Sequence, residues 1–213
     1  MSMQCGKLLG FLRLTYLIVT LASLVPCLAL ASDASAPIEQ LNTGLLQAMK
    51  LGQSAPFRQR YDLLAPLVLR AVDLDFILQR AVGPAWTSIP PDQQAALTSA
   101  FQRYSIATYV AHFNEYADER FELAPARNGA AGEPVIGVRI VPGKPGEEAH
   151  MLGYSMRQVG GAWKAVDVTA DSSISQVVAQ QAEIRSLFDR YGVTGLLGRL
   201  QDKTSQLSGG ALR

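Results

Sequence analysis

Residues Met151–Leu200 have the sequence MLGYSMRQVGGAWKAVDVTADSSISQVVAQQAEIRSLFDRYGVTGLLGRL. Apolar residues alternate with small or polar ones from Leu152 to Met156, which is the period of two that is typical of a strand. Gly160-Gly161 supplies the positive φ angles that a tight hairpin needs, and the alternation resumes after it. This segment therefore predicts two antiparallel strands joined by a two-residue turn.

The second strand of this hairpin predicts two faces. Val166 and Val168 fall on one face, and Trp163, Ala165 and Asp167 fall on the other. One interpretation of the strand carboxylate is a general base in a cleft, as small α+β barrels sometimes use. The other interpretation is a capping residue or a salt-bridge partner.

After this strand the apolar period becomes that of a helix. Asp171 or Ser172 can cap the helix, because both side chains accept hydrogen bonds from free N–H groups. The residues predicted on its apolar side are Ile174, Val177, Val178, Ile184, Leu187 and Phe188. Gly192 and Gly195 separate it from a shorter helix, Leu196 to Gln206. The C-terminal helices are expected within 172–206, and a frayed tail is expected at 208–213.

The earlier part of the chain predicts a helical lobe over 37–115 and then strands. Pro37 opens the first helix, and Asp73 starts a short one that Gly83-Pro84 ends. A long helix follows from Pro91 to Asn114, with Ser88 or Asp92 as its cap. Strand patterns at Arg120–Leu123 and Val135–Val141 join the hairpin in a four-stranded antiparallel sheet over 119–169. Segregated helices and strands indicate an α+β fold.

The first 31 residues predict an export signal. Lys7 and Arg13 precede an apolar run, and Ala29-Leu30-Ala31 has the small residues that a signal peptidase requires, so cleavage is expected before Ser32. An uncleaved membrane anchor is the first alternative, because the run approaches a spanning length. A lipoprotein signal ending at Cys27 is the second. Cleavage places the protein in the periplasm, with its single domain at 32–207.

Composition excludes several classes of function. Apolar residues make up 48% of the chain and charged ones 17%, which suits a domain with a sizeable core. Removal of the signal leaves 17 basic and 18 acidic residues, a balance that does not predict nucleic acid as a partner. Cys5 and Cys27 both lie in the signal, so no disulfide is expected. His112 and His150 lack metal-ligand spacing, and no nucleotide-binding glycine loop or serine elbow is present, so no metal, cofactor or catalytic residue is predicted.

Two segments carry a resemblance to a known family. Trp163-Lys164-Ala165-Val166-Asp167-Val168 before a long helix, and Gly192 to Leu200 after it, resemble the MlaC/Ttg2D (toluene tolerance) family of periplasmic phospholipid carriers. One departure is Ala170-Asp171-Ser172, where the family usually has Glu/Asp-Gly. Segments that look more like the hopanoid-associated HpnM branch are Pro37–Asn42, Ala81–Trp86, Phe101–Phe113 and Arg120–Glu122. The resemblance extends over about residues 37 to 207.

The resemblance implies a curved four-stranded antiparallel sheet, similar to NTF2 and cystatin folds, packed with helices around an apolar cavity. It also implies a carrier, and not an enzyme, that shuttles a phospholipid or a hopanoid lipid between the inner and outer membranes. The implied partners are an inner-membrane ABC transporter complex and an outer-membrane lipoprotein complex.

We expect the cavity to lie between the sheet and the helices that follow and precede it. The residues predicted to contact lipid are Phe101, Tyr104, Tyr109, Phe113, Val138, Ile140, Leu152, Tyr154, Met156, Val166, Val168, Ile174, Val177 and Val178. Two other functions stay open. One is an enzyme with an NTF2-like cavity and Asp167 as its base, and the other is an envelope adaptor protein with a filled core.

Overall fold

The computed structural model describes residues 28–171 and 174–212. Its helices are α1 (Leu28–Leu51), α2 (Phe57–Ala71), α3 (Leu74–Val82), α4 (Pro91–His112) and α5 (Gln176–Leu207). Its strands are β1 (Arg120–Asn128), β2 (Pro134–Val141), β3 (His150–Val159), β4 (Ala162–Ala170) and the two-residue β5 (Ile174–Ser175). Short 3₁₀ turns lie at Gly52–Ser54 and Gly83–Ser88. The strands pair in chain order in one antiparallel sheet, which confirms the predicted α+β class with four long strands.

The β3–β4 hairpin has the turn that the sequence predicts. Val159 pairs with Ala162, and the two glycines between them have φ angles of 57° and 83°. Such angles strain any residue with a Cβ, so the glycine pair sets the length of the loop. The loop length in turn fixes the register at this end of the hairpin.

A bulge in the same hairpin overturns the predicted faces of β4. Tyr154 opposes Val168 and Met156 opposes Ala165, so Val166 is an extra residue on β4. An inserted residue moves every later side chain to the other face. Ala165, Trp163 and Val168 therefore share one face, whereas Asp167, opposite Ser155, lies on the other. The expectation that Asp167 lies beside Trp163 is wrong for this reason.

The two outer edges of the sheet are both interrupted. In β1 the pairing with β2 shifts between Ala124 and Arg127, and Pro125 lies in that gap. On the other edge, β5 covers only the end of β4. The linker between α2 and α3 covers part of the rest of the β4 edge. Val72 bridges Ala165, and the Asp73 N–H donates to the Ala165 carbonyl at 2.9 Å.

Three predicted helix starts differ from the structure. α1 begins at Leu28 and contains Pro37, which was expected to open it. α4 follows Pro90 without a side-chain cap, and Gln94 Nε2 instead donates to the Trp86 and Ile89 carbonyls at 2.9 and 3.0 Å. α5 is capped by Ser175, whose Oγ accepts from the Val178 N–H at 2.9 Å. The predicted cap Ser172 and residues 1–27 of the predicted export signal lie outside the described residues.

Helix α5 has a break at Gly192, and the chain end folds back beyond it. Gly192 has φ 63° and ψ −165°, while Gly195, the other predicted separator, is helical. The backbone N–H of Leu212 donates to Ser208 Oγ, and the Leu212 side chain is buried. The expectation of a frayed tail is therefore wrong for residues 208–212, because an apolar side chain near the end anchors them.

The core fills the space between the helices and one face of the sheet. Its largest fully buried side chains include Ile38, Leu41, Leu45, Leu64, Ile77, Leu97, Phe101, Ile136, Tyr154, Met156 and Ile184. The Asp73 side chain joins this core to the sheet, since Oδ1 accepts from the Phe76 N–H and Oδ2 accepts from Arg157 at 2.9 Å. Among the described residues, one pocket lies between α4 and the last turns of α5. Another gap lies between α4, β3 and the first turns of α5.

Candidate functional site

A cavity of about 410 Å³ occupies that gap. This volume is within the ~300–1,000 Å³ that is typical of small-molecule sites. Its lining residues are Val72, Leu74, Ile77, Tyr104, Ser105, Thr108, Tyr109, His112, Phe113, Leu152, Tyr154, Val168, Val177, Ala179, Gln180 and Glu183. Three helices and the central strands of the sheet thus form its wall.

Helix α4 supplies the aromatic side of the cavity. Ser105, Thr108, Tyr109 and His112 recur at helical spacing, so one face of the helix points at the gap. The rings of Tyr109 and Phe113 are stacked with centroids 6.2 Å apart. Leu152, Tyr154 and Val168 of the sheet complete this side. The cavity wall is therefore largely aromatic and aliphatic.

Two of the tyrosines of the wall, Tyr109 and Tyr154, are uncharged at neutral pH. Burial raises the pKa of Tyr109 to about 12. Burial also raises the pKa of Tyr154, and repulsion from an ionised Tyr109 would raise it further. Because the folded-state pKa values are raised, the stability they contribute is complete below the unfolded value near ~10 and is lost as the pH rises through the folded values. The cavity keeps neutral phenols over the physiological range.

Ser105 has a buried hydroxyl group in this wall that lacks a protein partner among the described residues. Its side chain is 4% exposed, and within the part of the chain that the structure describes its Oγ makes no hydrogen bond. Thr108 and His112 instead bond to their own helix, through the Tyr104 carbonyl at 2.9 Å and the Thr108 carbonyl at 2.8 Å. A buried hydroxyl without a partner is costly, so Ser105 is available to a polar atom of a ligand.

The mouth of the cavity lies between the end of α4 and the first half of α5. His112, Ala179 and Glu183 line the cavity and are exposed to solvent. Glu183 forms an ion pair with Lys203, whose Nζ lies 5.7 Å from the ring centroid of Tyr104. Burial alone would lower the pKa of Lys203, but the hydrogen bond to Glu183 and the proximity of Tyr104 raise it overall. The mouth is thus polar and the interior apolar.

The structure brings half of the predicted lipid contacts to this cavity. The predicted residues that line it are Tyr104, Tyr109, Phe113, Leu152, Tyr154, Val168 and Val177. Those that do not line it are Phe101, Val138, Ile140, Met156, Val166 and Val178. Phe101, Val138 and Met156 are buried in the core instead. The side chain of Ile174 lies outside the described residues.

Two of these differences have a local cause. Val178 is 59% exposed, because a helical residue directly after the buried Val177 points about 100° away from it. Val166 is the extra residue of the bulge, so its side chain leaves the alternation of β4. Neither residue shares the cavity face with Tyr154.

The prediction missed other lining residues. Ser105, Thr108 and His112 follow the helical spacing around the predicted Tyr109, so the same period could have found them. Val72, Leu74 and Ile77 reach the cavity because the α2–α3 linker pairs with β4, a long-range contact without a local sequence pattern.

Asp167 has a structural partner away from the cavity. Its Oδ1 accepts from Ser175 Oγ at 2.6 Å and from the Val168 N–H at 2.8 Å. Ser175 also caps α5, so this carboxylate holds the start of the helix against the sheet. Asp167 is not among the residues that line the cavity.

Residues 28–171 and 174–212 contain neither a cluster suited to a metal ion nor a helix suited to a membrane. Within those ranges, no three side chains of His, Cys, Asp or Glu type converge in a way that could hold a metal ion. No helix in the same ranges combines the length and the hydropathy needed to cross a membrane.

Comparison with known proteins agrees with this architecture. The family model described as MlaC protein matches residues 39–202. The chain belongs to the MlaC family. Among solved structures, it is similar to a phospholipid-binding protein from Ralstonia solanacearum, which was solved in complex with a phospholipid. The two share 22% identity and a TM-score of 0.66, over 83% of this chain and 99% of the other, which shows a shared fold. No curated protein matches the chain.

Proposed function

We propose that this MlaC-family protein is a periplasmic lipid carrier that binds hydrocarbon tails in the cavity between α4, α5 and the sheet. The observation that carries the proposal is a neutral, largely apolar cavity with a polar, exposed mouth. This arrangement suits a molecule with an apolar body and a polar end. The phospholipid bound by the Ralstonia solanacearum protein of the same fold supports the proposal.

The free energy of burying hydrocarbon tails explains why a lipid carrier needs partners. Each buried methylene contributes about 0.8 kcal/mol, so a lipid held by its tails does not leave for water at a useful rate. Loading and release then need partners that offer an apolar path. From the family resemblance, we infer an inner-membrane ABC transporter complex and an outer-membrane lipoprotein complex as these partners. Residues 1–31 would direct export and be removed before Ser32.

The cargo is either a phospholipid or a hopanoid lipid. The resemblance of Pro37–Asn42 and Ala81–Trp86 to the HpnM branch favours a hopanoid, whereas the fold neighbour favours a phospholipid. Both have an apolar body and a polar end. Ser105 Oγ, deep in the wall, would hydrogen-bond to an ester or hydroxyl oxygen of either cargo.

The carrier accounts for the structure better than the two alternatives. An enzyme that uses Asp167 as a base would need this carboxylate in the cavity, yet it is bonded to Ser175 outside the lining. An adaptor with a filled core would have no reason to retain an apolar space of this size beside a polar mouth.

The test is the lipid content of the purified mature protein. We expect mass spectrometry of organic extracts to detect lipid bound to the wild type. Val177→Trp, which fills the cavity, should lower that content at least about fivefold, because a larger ring competes for the same volume. Its matched control is Val178→Trp, at the neighbouring exposed position, which should retain lipid.

Thermal unfolding of both variants separates loss of lipid from loss of the fold. Asp167→Asn should also keep the wild-type lipid content, since this residue supports the helix and not the cavity. Wild-type protein that is free of lipid after gentle purification, and that takes none up from vesicles, would refute the carrier. Equal loss in the two tryptophan variants, both folded, would show that the lipid lies elsewhere.

A further inference from the structure

A second, smaller cleft adjoins the cavity at the break of helix α5. We call it the kink cleft, and it is lined by Glu183, Ser186, Leu187, Arg190, Tyr191, Arg199 and Lys203. Its volume is about 200 Å³. Three of its seven residues are cationic, whereas the residues that line the cavity beside it include no lysine or arginine.

The backbone at Gly192 brings these cations together. Residues 190 and 199 would lie about 13 Å apart along the axis of a straight helix. In the structure, the guanidinium carbons of Arg190 and Arg199 lie 5.9 and 5.7 Å from the ring centroid of Tyr191. Gly192 lies between them with φ 63° and ψ −165°, which are angles that glycine adopts without strain. The cleft therefore exists because the two segments of α5 meet at an angle.

The cleft has an excess of positive charge. Within residues 28–171 and 174–212, neither Arg190 nor Arg199 forms an ion pair with a carboxylate. The carboxylate that lines the cleft, Glu183, is already paired with Lys203. The two arginines also lower the pKa of Tyr191, chiefly through the hydrogen bond from Arg190. Two exposed guanidinium groups thus face the cleft without an anion.

The cleft and the cavity are adjacent and share a lining residue. Glu183 lines both of them, and Lys203 of the cleft lies over the ring of Tyr104, which lines the cavity. A ligand that buries its tails in the cavity can therefore extend its polar end past Glu183 into the cleft.

We propose that the kink cleft binds the phosphate of a lipid head group, so that the cargo of this protein is a phosphate-bearing lipid and not an uncharged one. This inference rests on the proposed carrier function and decides the question of cargo that it leaves open. Two guanidinium groups on one side of a small cleft suit phosphate oxygens, because each group can donate two parallel hydrogen bonds. Lys203 adds a third cation at the boundary with the cavity.

The experiment compares two lipids with the same tails. Mature protein is equilibrated with vesicles that contain either dioleoylphosphatidylglycerol or dioleoylglycerol, and bound lipid is quantified by mass spectrometry. The variant is Arg190→Gln/Arg199→Gln. Its control, Arg58→Gln/Arg120→Gln, removes the same charge from exposed positions on α2 and β1 that do not line the cleft.

We expect the cleft variant to bind the phosphatidylglycerol about tenfold or more weakly than the wild type, which is the loss of one or two hydrogen bonds to a charged group. Binding of dioleoylglycerol should not change, and the control variant should match the wild type for both lipids. Unchanged binding of phosphatidylglycerol, or equal loss of the two lipids in folded protein, overturns the head-group assignment and leaves the carrier function standing.

Two further outcomes are distinguished by the same design. A wild type that takes up neither dioleoyl lipid overturns the head-group assignment, and the extracted-lipid measurement then decides on the carrier separately. Titration with inorganic phosphate identifies the source of the anion. Millimolar or weaker binding supports a lipid head group, whose affinity comes from its tails, whereas micromolar binding to the lipid-loaded protein would indicate a free-phosphate site and overturn the proposal.

Discussion

The two segments of helix α5 on either side of Gly192 differ in what they pack against. Residues 176–191 cover the cavity, and this segment has exposed apolar side chains at Val178 and Tyr191. Residues 193–207 pack against α4, with Leu196 fully buried and Leu200 2% exposed. Both segments border a pocket, but the large exposed apolar side chains of α5 lie in the first segment, so we expect it to open at a lower free energy than the second. We call the first segment the lid of the cavity and the second segment its anchor.

The first segment is nevertheless held at two points. At its start, Ser175 connects it to Asp167 of β4. In its middle, Arg185 Nε donates to the Ala81 carbonyl at the end of α3 at 2.7 Å. The guanidinium also lies against Gly83, where a Cβ would come within 2.0 Å of Arg185 Nη2. Polar bonds at these two points therefore hold the lid against β4 and α3.

The largest expected effect comes from leucine truncation on the two sides of the break. Leu200→Ala should lower the free energy of unfolding by about 2–5 kcal/mol, because it leaves a cavity in a closed core. Leu187→Ala, at a partly buried position of the first segment, should cost less than about 2 kcal/mol. Urea denaturation measures both. A cost at Leu187 equal to that at Leu200 would show that the two segments are packed alike.

The next effect isolates the break itself. Gly192→Ala should destabilise the protein by about 1–3 kcal/mol, because alanine must adopt a strained backbone conformation there. Gly198→Ala is the matched control, since both sites have open space around a new Cβ and Gly198 is helical. It should stabilise the protein by about 0.4–1 kcal/mol. Thermal unfolding should show a lower melting temperature for Gly192→Ala and a higher one for Gly198→Ala. A stabilised Gly192→Ala would mean that α5 is straight.

A smaller effect is expected at the start of the first segment. Ser175→Ala removes the helix cap and one partner of Asp167, and should cost about 1 kcal/mol. Because the loss is local, hydrogen exchange should accelerate at the amides of 177–183 and stay unchanged at 196–206. Exchange that accelerates equally on both sides of Gly192 would argue against a separate lid.

The smallest effect concerns the turn that leads to the lid. The Met151 N–H and then His150 bond to Asp171 and lower the pKa of its carboxyl group. A lowered folded-state pKa contributes stability above the unfolded value near ~3.9, and this stability is lost as the pH falls through the folded value. We expect the free energy of unfolding of Asp171→Asn to fall slightly less steeply with decreasing pH than that of the wild type. Identical acid unfolding in variant and wild type would show that these exposed bonds contribute nothing.

Local patterns in the sequence were sufficient for the elements but not for their mutual positions. The glycine pair at 160–161 set the hairpin, and Asp73 and Gly83 marked the two ends of α3, because turns and caps depend on neighbouring residues. The extra residue at Val166 has no such local pattern, since a bulge forms only when the partner strand requires it. The predicted cavity contact at Val166 was misplaced for that reason, whereas Phe101, Val138 and Met156 were correctly predicted to be apolar but lie in the core beside the cavity.

The sequence alone could not decide which residue caps the lid or which glycine ends it. Asp171, Ser172 and Ser175 are all suitable caps, and the choice of Ser175 depends on Asp167 reaching it across the sheet. Gly192 and Gly195 are both suitable breaks, and only the first has non-helical angles. Composition gave no indication of the kink cleft, because its arginines meet only through the angle at Gly192.

The proline in the outermost strand has a consequence for behaviour in crowded solution. Pro125 cannot donate a backbone hydrogen bond, and the pairing of its strand already shifts at this point. A second molecule that tried to extend the sheet by adding its own strand would therefore find an incomplete template. The opposite edge is partly occupied by Val72 and β5, so addition of a strand from a second molecule is discouraged at both edges of the sheet.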